Sequence, residues 1–251
     1  MNKNDSVGCA ISIVGGLLGT IVTLIIFVNK YPVQISAEVS RGASAEAMLV
    51  TFVLPVMANI AFAGGILWTI SAYGFLKGER WAFPFALYGS VLCILGSFFP
   101  VLPYASSGLG FPPTIVIFAF NLLFFIVLQW KVHPTPRKVL ALSLITGIAY
   151  ILAFINGVAS THYIIMGGGS YYIALEPLNF LASIVWGLAT ISLVLGKSWT
   201  KLMVYGAALA AIFGGVPIAI ASQMELNYPS LFWPSPIVAF FVIILYSKIT
   251  N

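Results

Sequence analysis

The chain has 251 residues, of which 61% are hydrophobic and only 7% charged, with a formal net charge of +5 and a mean hydropathy of +1.06. A soluble domain of this size carries roughly 25% charged residues to wet its surface, so lipid is the solvent for most of this one. The composition excludes a soluble enzyme, and the basic residues, dispersed in short loops, form no basic helix or aromatic platform for nucleic acid.

A hydrocarbon core about 30 Å thick takes about 20 apolar residues at about 1.5 Å rise each. Eight segments meet that requirement: residues 10–28, 48–76, 83–100, 113–130, 138–158, 174–195, 202–221 and 232–247. In the first, Lys3 precedes an apolar run too long for a signal peptide, and no small-x-small cleavage site precedes "NKYP", so it is read as a retained helix. The second is long enough to tilt, or to begin as an interfacial turn before Pro55. The eighth is short and opens with "FWPSP". Cys9 and Cys93 lie in or beside apolar spans, where they read as small packing residues. The fold class expected is all-α, a polytopic membrane bundle of about eight transmembrane helices.

Basic residues set membrane topology through their clustering in alternate loops. Lys3, Lys77, Arg80, Lys131, Arg137, Lys138, Lys197, Lys201 and Lys248 fall on one side of the eight spans, and only Lys30 and Arg41 on the other. Both termini are therefore expected to face the cytoplasm of a chain integral to the cell membrane. Glu38, Glu46, Glu176 and Glu225 fall on the external side, with Asp5 and Glu79 inside.

Two stretches echo each other. "ILWTISAYGFLKGERW" (66–81) and "IVWGLATISLVLGKSW" (184–199) align Trp68, Gly78 and Trp81 with Trp186, Gly196 and Trp199 at an offset of 118. Deleting one residue then gives an offset of 117. This pairs Tyr88, Gly89, Leu92, Pro100, Leu109, Pro112, Phe124, Ile126, Leu128 and Lys131 with Tyr205, Gly206, Leu209, Pro217, Leu226, Pro229, Phe241, Ile243, Leu245 and Lys248. The expectation is a parallel 4+4 internal repeat, residues 1–131 and 132–251, each half a four-helix membrane unit. The resemblance fades in the first helix of each half. Pro100 and Pro217 are expected to end the third and seventh spans, with Pro112 and Pro229 restarting the chain. External connections are then 29–47, 101–112, 159–173 and 222–231, longer than the internal turns and the better place for recognition.

Ionisable groups inside a bilayer mark proton paths, ion sites or buried catalysis, and the eight spans hold essentially none. Glu176, in "ALEPLNF", and Glu46 come closest, each near a helix N-terminus whose dipole favours a carboxylate. His133 and His162 lie in loops on opposite sides, which excludes an intramembrane bis-histidine haem. His162 and Met166 have a spacing a copper site could use, but lack a second histidine or a cysteine. Neither a nucleophile elbow, a paired membrane aspartate nor a phosphate loop occurs. No catalytic residue, metal or cofactor is expected.

What remains is uncharged. Asn59, Asn121, Asn156 and Asn179 lie in spans, beside "AGG" (63–65) and "FGG" (213–215), where amides and close-approaching glycines either pack helices or line a cavity for a neutral ligand. The tryptophans 68, 81, 130, 186, 199 and 233 read mostly as interfacial anchors. Three functions are consistent with this inventory. The first is a non-catalytic membrane subunit of a larger complex, respiratory or quinone-linked, whose partners are the bilayer and other membrane subunits. The second is an uncoupled carrier or channel for a neutral or apolar solute, with quinones and neutral small molecules as candidate ligands, held between the repeats. The third is an enzyme acting through external Glu38, Glu46, His162, Glu176 or Glu225.

Overall fold

The computed structural model of the chain describes residues 3–226 and 232–250. Those residues are all-α, without a strand, and seven helices are long and apolar enough to cross a membrane; an eighth, shorter apolar helix follows. The chain divides into two compact units, Met1–Thr135 and Pro136–Asn251.

The first unit comprises α1 (Lys3–Ser40), α2 (Ser44–Lys77), α3 (Ala82–Phe98), the short α4 (Val101–Ser106) and α5 (Thr114–Val132). One face of α1 is made of small residues, and α2 packs into it. A Cβ on Gly8 would strike the Phe75 ring at 2.7 Å, on Gly15 the Trp68 ring at 2.7 Å, and on Gly19 the Gly65 Cα at 2.6 Å. Backbones that approach this closely gain dispersion contacts in a solvent that offers no hydrophobic drive between helices. At the tightest point α1 widens into a π-turn, Leu18–Val22. There the Thr20 hydroxyl donates to the Gly16 carbonyl (2.6 Å) and that of Thr23 to the Leu18 carbonyl (2.9 Å). Such back-bonding competes with the helix ladder and bends it.

Two expected helix ends, after residue 28 and at Pro217, are passed. Residues 29–40, expected in a loop, continue α1 through Pro32, and α8 runs through Pro217 to Leu226. Both prolines are exposed, so each costs one ladder bond without a buried clash. Pro100 does separate two helices, capping α4. Pro55, inside α2, removes the N–H that would bond the Thr51 carbonyl; the Tyr31 hydroxyl donates to that carbonyl instead, at 3.0 Å.

The second unit comprises α6 (Arg137–Ile165), α7 (Tyr171–Val194), α8 (Thr200–Leu226) and α9 (Pro234–Thr250). Inside it, the Thr190 hydroxyl bonds that of Thr146 (2.9 Å). In the first unit the Ser71 hydroxyl bonds that of Ser12, between α2 and α1, at 3.0 Å.

Each unit, taken by itself, repeats details of the other. Gly78 and Gly196 both adopt positive φ (69° and 60°), where a side chain would be strained. Around Gly78, its N–H bonds the Phe75 carbonyl and that of Glu79 the Gly74 carbonyl. Around Gly196, the bonds run to Leu193 and from Lys197 to Ser192. Burial follows a single offset of 118 through three helices. Ala61, Gly64, Gly65, Trp68, Ser71 and Ala72 are buried, as are Asn179, Ala182, Ser183, Trp186, Ala189 and Thr190. In the last helix, Ile117, Asn121, Phe124 and Leu128 match the buried Ser235, Ala239, Val242 and Tyr246.

The offset of 117 given by the identities does not align these burial patterns. It pairs Phe124, 7% exposed, with Phe241, 55% exposed, and the tightly packed Gly89 with the exposed Gly206. The first helices, where identity fades, share a burial pattern at an offset of 134. Gly8, Cys9, Ser12, Gly15, Gly16 and Gly19 match Leu142, Ser143, Thr146, Ala149, Tyr150 and Ala153, all buried. At one such position size is exchanged between the contacting helices. Gly16 sits against Thr69 in the first unit, whereas in the second Tyr150 sits against Gly187.

Candidate functional site

The four span asparagines occupy three different settings. Asn121, fully buried, is consumed by packing. Its Oδ1 accepts the Trp68 indole N–H (3.0 Å), its Nδ2 donates to the Ile117 carbonyl (2.9 Å), and its own carbonyl accepts the Ser90 hydroxyl (3.0 Å). Trp68 and Trp186 are likewise wholly inside their units, contrary to a role as interfacial anchors. Asn156 and Asn179 are brought together around the glycine pair of α8. A Cβ on Gly214 would meet Asn179 Oδ1 at 3.0 Å, and one on Gly215 would meet Asn156 Nδ2 at 3.3 Å. Asn156 Nδ2 reaches the Phe232 carbonyl (3.3 Å) and Asn179 Nδ2 the Leu175 carbonyl (3.0 Å). Asn179 Oδ1 is buried without a hydrogen-bond partner among the described residues, as is the Trp186 indole N–H.

Asn59 belongs to neither group. It is exposed, at the middle of α2, on the face carrying Phe52, Val56, Phe62 and Ile66, away from the core positions Leu54, Met57 and Ala61. A sequence that is apolar on every side of a helix does not say which side faces lipid, so nothing in it separates this amide from the interior ones.

The ionisable candidates are dispersed. Glu46 sits in the first turn of α2 and His162 in the last turn of α6, with its ring edge-on to Tyr163. Glu176 accepts the Thr161 hydroxyl, tying α7 to α6. The Glu225 side chain, like Pro229, lies outside the described residues. Glu38 is 1% exposed and holds Arg41 and the Ser107 hydroxyl, while Arg41 also donates to the Ser106 carbonyl (2.6 Å), so this group ties α1 to the end of α4. Among the described residues no three His, Cys, Asp or Glu side chains lie together as metal ligands would.

A pocket missed in the sequence lies within the first unit. It runs beside α1 from Thr23, at the end of the π-turn, to Gln34, which is roughly 16 Å of helix, and is walled by Phe27, Leu54 and Ala58. Its enclosed space measures about 40 Å³, where a single water needs about 10–15 Å³ on that scale. It admits a few waters or part of one slender chain, not a folded ring system. Gln34 is 2% exposed, and its Nε2 and the Thr114 Oγ1, both lining the pocket, are buried without partners among the described residues. Lys30 stands exposed at its edge. The signal was hidden because 29–47 was read as loop, whereas Lys30 and Gln34 are one helical turn apart on α1.

No family model, curated protein or solved structure matches the chain.

Proposed function

We propose that the chain is a non-catalytic membrane subunit of a larger assembly. The observation that carries this reading is Asn59. An amide moved into an apolar medium without a hydrogen-bond partner costs roughly 2–7 kcal/mol, and Asn is too short to reach the interface from the middle of a 34-residue helix. Among the described residues of the first unit nothing bonds it, and its neighbours on that face are large apolar residues. A partner helix bearing a polar group against Asn59 removes the cost, with interhelical hydrogen bonds worth about 0.6–2 kcal/mol. The chemistry of the assembly then resides in its partners.

A photo-crosslinking residue at position 59, in protein purified gently from its native membrane, tests this. A stoichiometric protein partner captured there, and lost from Asn59→Leu preparations, is the expected result. Adducts only with lipid, on a chain of single mass, would overturn the reading.

The matched interiors of the two units favour a second reading. Turns with the same bonding and a shared burial offset of 118 support a duplication, and transporter ligand sites often lie at repeat interfaces. On this reading the chain is an uncoupled carrier or channel for a neutral solute. Asn179→Leu should slow solute entry into liposomes that contain the chain alone; unaltered flux sets this reading aside. Either way the basic residues favour cytoplasmic termini.

A further inference from the structure

We infer that the pocket along α1 is a lipid site, taking one acyl chain of an anionic phospholipid with its phosphate at Lys30. This inference does not depend on the subunit reading. The pocket grades from apolar to polar along its length. Thr23 spends its hydroxyl on its own helix, and Phe27, Leu54 and Ala58 continue the dry part, whereas Gln34 and Thr114 present unpaired donors at the other end. A buried amide and a buried hydroxyl without partners each destabilise the fold, and here both line one cleft. Ester and phosphate oxygens are acceptors that would satisfy them.

Depth and charge agree with that occupant. The apolar run of α1 ends at Val28, so Lys30 lies at head-group level, where an ammonium extends to the interface. Lys30 forms no ion pair among the described residues, while the nearby Arg41 is held by Glu38. Among the described residues that line the pocket, Lys30 carries the one charge, and it is positive. An enclosed space of a few waters leaves no room for a ring system or a bulky solute.

The test uses the full chain, delipidated in detergent, with phosphatidylglycerol or phosphatidylcholine of identical acyl chains, read by native mass spectrometry and by thermal unfolding. Phosphatidylglycerol should be retained about fivefold better, the preference expected of one lysine at a lipid surface. Lys30→Gln, an exposed change that leaves the interior intact, should abolish the preference. Gln34→Leu should reduce retention of both lipids yet raise the unfolding temperature of the lipid-free protein, because it removes an unsatisfied buried amide. Equal retention of both lipids by the unmodified chain would take the phosphate away from Lys30, and unchanged retention in Gln34→Leu would take the lipid out of the pocket; either would overturn the inference. An equal thermal shift from inorganic phosphate alone would make it an anion site rather than a lipid site, with the same consequence.

Discussion

Trp68 and Trp186 stand at matching positions, both fully buried, yet only one has its indole N–H satisfied. Asn121 accepts from Trp68; the residue at the matching place in the second unit is Ala239, which offers nothing. Replacing each tryptophan with phenylalanine removes the same N–H and leaves a similar void. In the first unit the change also strands Asn121 Oδ1, a loss of about 1–3 kcal/mol. In the second it removes an unsatisfied donor and returns an amount of the same order. Polar contacts in membrane proteins are damped, averaging about 0.6 kcal/mol in measured pairs, so Trp68→Phe is expected to cost about 2 kcal/mol more than Trp186→Phe. Reversible unfolding in mixed detergent micelles, followed by far-ultraviolet circular dichroism, measures both. The double change Trp68→Phe with Asn121→Leu should recover part of the loss, since removing both partners leaves no orphan. Equal losses, or a larger one for Trp186→Phe, would refute the reasoning.

Tyr31→Phe should destabilise the chain by about 1 kcal/mol by stranding the Thr51 carbonyl that Pro55 leaves open. In a Pro55→Ala background the restored backbone N–H takes over, and the tyrosine change should become nearly silent in the same unfolding assay. Gly78→Ala and Gly196→Ala should each cost about 1 kcal/mol. Both glycines have positive φ and open space where a Cβ would lie, so the penalty is conformational and should be alike at the two sites; clearly unequal losses would contradict the shared turn geometry. Ala239→Asn should make Trp186→Phe more costly than it is in the unmodified chain, by giving the indole an acceptor. An unchanged cost would break the equivalence of positions 121 and 239.

A membrane-embedded, all-helical chain was legible in the sequence because seven spans of the required length and apolarity leave no other way to satisfy the backbone in lipid. The glycine turns at 78 and 196 were also legible, since a glycine after an apolar run, followed by charge, writes a helix end locally. Which face of each helix turns inward was not. In water a polar stripe marks the outer face; in lipid both faces are apolar, and the pattern that would separate Asn121 from Asn59 is erased. For the same reason the identities at an offset of 117 do not pair buried positions with buried ones, as an offset of 118 does: shared leucines and phenylalanines carry no information about facing. Pro217 suggests a helix end, yet α8 runs through it, because an exposed proline costs one ladder bond without a buried clash. The unpaired Gln34 and Thr114 became visible only once α1, α3 and α5 enclosed them. Length and apolarity along the chain determined how many helices form and that they span; close approach between backbones decided which polar groups were paired, which were stranded, and where a pocket remained.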